Sequence, residues 1–578
     1  MFRKFLLIVW GLLFSFEANA GFGKIEVVDA DLQKAVMKEV KISKKDISLY
    51  KDIFAAIRKN EIEKADELVG KLKSDALMGH VLAQKYLSAK YISNYKELQE
   101  WLKKYSSLPQ QRSIINLAKV KAPGYKAPKK QPKKKTIYAP YGWFKEKYKN
   151  LKPADRRFVR GQVLDFLRAI RHSDNEKALK IMQDKRFRMT IPDKFYDGMS
   201  GTLVTSYFYE GEYEKALEWC EKPVKRSNEP TAAWFGAMAA WKVQNYKKAA
   251  ELFEKLVSFN NEDQWLTAGG AFWAYRANLK LGKKEKAKEY LQAAANKERT
   301  FYGILARKFL GKEPKYTADP AAYFNNFDED DYRKEIVKSP ALRRAVLLLM
   351  AEEYDLAEDD LRKNYPNFSM KQKELAMFLG RQYSLANLSF LLANGMKNYK
   401  KHRTYDGFFY PYPNWKPEDG WKINKSLIWA LVRQESLFAH KIRSFAGACG
   451  LMQVMPNTAA NVTKDKEYKK GCKLLFDRKN NLRIGQNYVD ILQQDDEIGK
   501  NLFFIAASYN AGPHSVKKWK ARKNYDDDPL MFAEMIPWRE TRLYVKKVVA
   551  NYWMYNYLRG KPSQSLQQLK DGKWPLLD

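Results

Sequence analysis

YEKALEWC, residues 213–220, returns as YKKAAELF at 246–253 and as KEKAKEYL at 284–291, and it is preceded by NEKALKIM at 175–182. The alanines at the centre of these phrases, Ala178, Ala216, Ala249 and Ala287, stand 38, 33 and 38 residues apart. That period is the length of a helix-turn-helix unit, with a small residue where two helices approach closely. Looser copies appear as IEKADELV around Ala65 and YDLAEDDL around Ala357. One helical hairpin cannot bury its apolar face alone, so the repetition predicts a stacked array that curves as each unit rotates on the last. No stretch alternates apolar and polar residues as a half-buried strand would, and the expected fold class is all-α.

Working outward, the array resembles a degenerate tetratricopeptide repeat. The 578 residues exceed what one hydrophobic core organises, which calls for several domains. An apolar content of 45% with 14% aromatics suits a folded chain. Residues 21–118 are charged and helical in pattern, as in IFAAIRKNEIEKADELVGKL (Ile53–Leu72). Residues 119–140 are rich in lysine and proline and predict an extended linker, either a solvated tether or a site of attraction to an anionic polymer. A repeat domain over 141–310, a helical linker domain over 311–410 and a C-terminal domain over 411–578 complete the expected organisation.

The chain opens with Arg3 and Lys4, an apolar run to Phe16, and Ala18-Asn19-Ala20. This is the pattern of a cleavable signal peptide over 1–20, which predicts export. The net charge of +38 calls for a polyanionic partner. Export sets nucleic acid aside, and nothing after residue 20 reads as a membrane-spanning segment. Three cysteines are too few for a disulfide-built scaffold. Cys449 and Cys472 flank one segment and either pair in an oxidising compartment or stay as buried thiols; Cys220, inside a repeat, reads as packing. The five histidines are scattered, and no metal site or cofactor is expected.

ALVRQESLFAHKIRSFAGACGLMQVMP, residues 430–456, carries the chemistry. With Asn424 or Ser426 as N-cap, Leu427, Leu431 and Glu435 fall on one helical stripe, broadened by Ile428 and Val432. Glu435 then ends an apolar face. Desolvation and the C-terminal end of the helix dipole both favour its neutral form, as a general acid requires. The competing reading pairs Glu435 with Arg433 or Arg443.

Four motifs follow in order: Glu435 with Ser436; Gly450-Leu451-Met452-Gln453 with Met455-Pro456; Tyr509-Asn510-Ala511-Gly512-Pro513; and Glu540-Thr541-Arg542 with Tyr544-Val545. Together they resemble the soluble lytic transglycosylases. ERTFYGILARKFLG (Glu298–Gly311) and Tyr410-Pro411 resemble the segments that join superhelical and catalytic parts in the large members. The resemblance implies a lysozyme-like C-terminal domain behind an α-superhelix. It implies cleavage of the β-1,4 bond between N-acetylmuramic acid and N-acetylglucosamine in peptidoglycan, with formation of a 1,6-anhydro sugar, in the periplasm. Glu435 takes the position of the one catalytic carboxyl. Ser444, Gln453, Met455, Tyr509, Asn510, Glu540 and Tyr544 match substrate-contacting positions. Peptidoglycan strands with their stem peptides are the expected partner. A hydrolytic muramidase and a silent binding scaffold are the alternatives. Cys449, in the turn before the Gly-Leu-Met-Gln motif, and Ser508, inserted before Tyr509, depart from the family pattern.

Overall fold

The computed structural model describes residues 28–124, 151–259, 262–316, 329–396 and 406–578. The expected signal peptide and most of the expected linker lie outside them. The described residues are α-helical, with short 3-10 turns, three isolated β-bridges and no strand. None of their helices is long and apolar enough to cross a membrane.

Two compact units emerge, each assembled from separate stretches. One comprises Met1–Pro132, Tyr316–Asn487 and Met554–Lys561; the other comprises Lys133–Lys315, Tyr488–Trp553 and Pro562–Asp578. The helix Gln111–Lys121 ends the N-terminal region, reaching three residues into the stretch expected to be extended.

Among the described residues, seven helical hairpins share one local design. Their second helices are Ile62–Val69, Asn175–Gln183, Tyr213–Ser227, Tyr246–Ser258, Lys284–Ala295, Tyr354–Asn364 and Ala386–Gly395. Each connection places one left-handed residue, in turn Asn60, Ser173, Gly211, Gln244, Gly282, Glu352 and Ser384, with φ between 56° and 82°. The next N–H bonds back five residues, as in Glu212 N to Tyr207 O and Lys283 N to Asn278 O, both 2.9 Å. This is the Schellman end of a helix, which satisfies orphan carbonyls and turns the chain sharply. Five residues after each left-handed position stands the small residue: Ala65, Ala178, Ala216, Ala249, Ala287 and Ala357, all 0–1% exposed, and Ser389 at 2%. It is always the fourth residue of the second helix. The seventh hairpin carries serine there, which hides it from a search for alanine. A Cβ on Gly380 of its first helix would stand 2.6 Å from Ser389 Oγ, so two small residues meet at that crossing.

Cys220 plays the packing role expected of it. It is wholly buried, a Cβ on Gly236 would fall 2.4 Å from its Sγ, and burial pushes its thiol up to about 12. In the same unit a buried polar network joins the repeats to the C-terminal helices. Trp273 donates to the Tyr302 hydroxyl (2.9 Å), Tyr302 donates to Glu534 Oε1 (2.6 Å), and Lys546 Nζ lies 2.7 and 2.9 Å from the two Glu534 oxygens. Burial pulls the Lys546 ammonium down, against the pull of Glu534. Paired and hydrogen-bonded in this way, two charges are tolerated in an interior that would reject either alone.

Candidate active site

Asn424 caps the helix Lys425–Glu435, its side chain accepting from Ser426 N at 2.9 Å. The expected apolar stripe is broader than drawn: every residue from Ser426 to Val432 is buried, Trp429 included. The helix is enclosed by aromatics, with Trp415, Trp421 and Phe438 packed around Trp429. Glu435 is its last helical residue and is part-exposed, while Ser436 is buried. A carboxyl held at the mouth of an apolar segment has the placement a proton donor requires. Arg433 Nε donates to Phe409 O at 3.1 Å and its guanidinium lies 4.2 Å over the Tyr410 ring.

Past Glu435 the backbone is forced. Leu437 (φ 49°) and Phe438 (φ 67°) are both left-handed, a conformation that costs about 1–3 kcal/mol for each such residue. Phe438 is nonetheless 1% exposed, and its burial among the tryptophans offsets that cost.

The Gly-Leu-Met-Gln motif forms a clasped turn. Arg443 bridges to Cys449 and Cys449 to Val454, and Cys449 is disulfide-bonded to Cys472 across 23 residues. That resolves the two readings of these cysteines in favour of pairing. Ser444 closes the preceding loop by accepting from Ala448 N with its hydroxyl at 2.9 Å. Gly450 takes φ 77°, and a Cβ there would stand 2.2 Å from Leu475 O and 2.3 Å from Asn481 Nδ2. Only glycine fits. Gln453 is left-handed (φ 48°), and its amide nitrogen donates 2.8 Å to Gly450 O within the turn. Met455, at 39% exposure, stands at the surface beside this turn.

Asn481, absent from the expected set, holds the turn from behind. It is wholly buried, accepts from Met452 N (2.8 Å) and donates to Cys449 O (3.0 Å) and Leu475 O (2.8 Å). No periodicity or motif marks it in the sequence. Gly485, further along the same helix, leaves room for Met452, whose Sδ would be 2.2 Å from a Cβ there.

The other four expected residues belong to the second unit. The helix Leu502–Ala511 absorbs Ser508 as a wholly buried residue and ends at Gly512 (φ 83°); Pro513 opens the next helix. Tyr509 packs at 5.5 Å against Tyr488, and Asn510 Oδ1 accepts from Thr541 Oγ1 at 2.6 Å. Glu540 is exposed in the first turn of the helix Arg539–Leu558, and Tyr544, one turn on, is buried. Arg542 of the same motif bonds the Tyr209 hydroxyl and donates to Ile536 O (2.7 Å), so its task is to fix that helix to a repeat.

Residues 414–532 match the family described as the transglycosylase SLT domain. A soluble lytic murein transglycosylase of Salmonella typhimurium is 29% identical over 325 residues, 54% of this chain and 46% of the relative. Its Escherichia coli K12 counterpart is 30% identical over 315 residues, 52% and 45%. Over the matched residues the chain is similar to the soluble lytic murein transglycosylases. The matched part spans about half the length of these relatives.

The fold agrees. The crystal structure of the 70 kDa soluble lytic transglycosylase from Escherichia coli superposes with TM-score 0.51 at 16% identity, over 89% of this chain and 97% of that one. A complex of a 70 kDa soluble lytic transglycosylase with bulgecin A gives 0.55 at 17% identity, over 99% and 92%. These are superhelical α-folds with a lysozyme-like domain; the repeats predicted the all-α array, and the resemblance of the four motifs implied the lysozyme-like domain. The SLT match contains Glu435, Ser444, Gln453, Met455, Tyr509 and Asn510; Glu540 and Tyr544 lie beyond its end.

Proposed function

We propose that the protein is a peptidoglycan lytic transglycosylase. The observation that carries this reading is Glu435, held at the mouth of an enclosed helix, within a segment matching the SLT domain and ahead, in the chain, of a disulfide-clasped turn. The Glu435 carboxyl protonates the oxygen of the β-1,4 bond between N-acetylmuramic acid and N-acetylglucosamine. The bond breaks toward an oxocarbenium-like state at C1. The carboxylate then takes the proton of the muramic C6 hydroxyl, whose oxygen closes on C1. The product is a 1,6-anhydro sugar, and no water is consumed. Ordinary glycosidases need a second carboxylate to activate water or to attack C1; an internal nucleophile removes that need.

Ser444, Gln453 and Met455 from the clasped turn, with Tyr509, Asn510, Glu540 and Tyr544, are the residues we assign to the glycan and its stem peptides. The charge of +38 favours a polymer that carries carboxylates. Action in the periplasm, after removal of residues 1–20, accords with the sequence pattern at the N-terminus.

The test is mass spectrometry of muropeptides released from purified sacculi by residues 21–578, beside the Glu435→Gln variant. Products ending in the 1,6-anhydro sugar, one water lighter than hydrolysed ones, and lost in the variant, are expected. Reducing-end products would replace the reading with a muramidase. Binding without release would replace it with a scaffold.

A further inference from the structure

Two neighbouring hairpins differ from the other five at one register position. The second residue of the second helix is Glu63, Glu176, Glu214, Lys247 and Glu285 in five of them, and each is exposed. In the last two it is Asp355 and Asn387, and neither is. Both lie before the SLT match begins at 414, and both bond to the segment that leaves the Glu435 helix.

Asn387 Nδ2 donates to Leu437 O at 2.7 Å, and Arg362 holds the Asn387 amide in that orientation by donating to its Oδ1 at 2.6 Å. Asp355 Oδ2 lies 3.0 Å from His440 Nε2 and 2.7 Å from Lys441 Nζ, while its Oδ1 pairs with Arg478. Burial pushes the Asp355 carboxyl up, but the His440 hydrogen bond and the charges of Arg478 and Lys441 outweigh it and leave the group ionised. Arg478 begins the helix Arg478–Gln494, whose Asn481 fastens the Gly-Leu-Met-Gln turn. The hairpins thus grip the segment at Leu437, the first residue of the left-handed pair and two residues past Glu435, and again at His440 and Lys441, and also hold the helix behind the turn. A backbone in that conformation persists only where its surroundings over-determine it.

We propose that Asp355 and Asn387 are positioning residues for Glu435: the repeat region fixes the backbone at 437–441, and through it the direction of the carboxyl. This rests on the proposed reaction for its functional consequence, though not for its structural part. Misplacement of a reacting group by about 1 Å is enough to slow a reaction on the order of a hundredfold.

The test uses the full mature chain with Asp355→Asn and Asn387→Asp. The first keeps the shape but removes the charge that holds Lys441 and Arg478 and the acceptor that faces His440. The second keeps the acceptor for Arg362 and loses the donor to Leu437. Asp66→Asn, which breaks an exposed ion pair with Lys85 in another hairpin, is the control. Two readouts are taken: amide hydrogen exchange at 436–441, and kcat and KM on isolated glycan strands. Exchange is expected to rise at least tenfold in both variants, with kcat falling at least tenfold, KM staying within twofold, and the control unchanged. Unchanged exchange, or raised exchange with wild-type kcat, would overturn the proposal. Raised exchange in a chain whose wild type releases no product would uphold the grip and overturn only the assigned reaction. If Asn387→Asp, at a buried position, does not fold, Asp355→Asn at the part-exposed position decides by the same two readouts.

Discussion

Thr541 Oγ1 donates a 2.6 Å hydrogen bond to Asn510 Oδ1. The bond joins two motifs 31 residues apart that the sequence presents as independent, and it explains why threonine stands between Glu540 and Arg542. Thr541 is 1% exposed, so its hydroxyl has little access to water. Thr541→Val preserves shape and removes the donor. It should cost about 1–2 kcal/mol in a denaturant titration, whereas Thr541→Ser should cost less than half of that. Glycan cleavage should fall with the valine and not with the serine, since Asn510 would lose its orientation only in the first.

Reduction of the Cys449–Cys472 bond acts on the unfolded chain and on the turn. Closing a loop of 23 residues stabilises a folded state by about 3 kcal/mol in the chain-entropy account. The double variant Cys449→Ala with Cys472→Ala should lose that amount, measured with the oxidised wild type as reference. The same loss should follow reductant treatment of the wild type and be absent when reductant is added to the double variant. Cys220, buried and with its thiol pushed up to about 12, should resist alkylation in the folded state throughout.

Glu358 predicts a pH dependence of known sign. It is buried, and desolvation raises its carboxyl to about 7 against the nearby charge of Arg362 and the hydrogen bond from Leu388 N. A carboxyl whose folded value exceeds its unfolded one stabilises the fold while it is neutral. That contribution is complete below the unfolded value of 4.5 and is lost as pH rises toward 7. Glu358→Gln keeps the acceptor for Leu388 and cannot ionise. The stability of the variant relative to wild type should therefore rise by about 1.4 kcal/mol per pH unit across that window, followed by thermal melts at half-unit steps. A difference that is flat with pH would show that Glu358 titrates at its ordinary value.

The Glu534–Lys546 pair should behave as a buried ion pair does. Glu534→Ala strands the Lys546 ammonium at a site that is 7% exposed and should cost about 3–5 kcal/mol. Adding Lys546→Met should recover a large part of the loss, because no charge then remains to be buried. A double-mutant cycle in urea measures both. Tyr302→Phe, which removes the donor at 2.6 Å, should cost about 1–3 kcal/mol in the same assay.

The legible and the illegible parts of this chain divide along physical lines. The hairpins were readable because a close helix crossing admits only a small side chain, and that demand repeats at fixed register. Their turns were not readable: Asn60, Ser173, Gly211, Gln244, Gly282, Glu352 and Ser384 share a backbone conformation and no side-chain type. The seventh hairpin escaped because Ser389 meets the same steric demand with a different residue. The motif residues were found by type and order, whereas Asn481, Asp355 and Asn387 had no signal. Each acts through a bond to a partner 29 to 123 residues away, which no local period encodes.

By itself, then, the sequence determined the helical class, the repeat, the motif order and the position of Glu435, because each rests on residue type at short spacing. Tertiary structure alone decided that Cys449 meets Cys472, that position 450 admits only glycine, and that two hairpins hold the segment after Glu435. Those outcomes depend on which backbone atoms arrive opposite one another once the chain has packed, and chain distance carries no record of that.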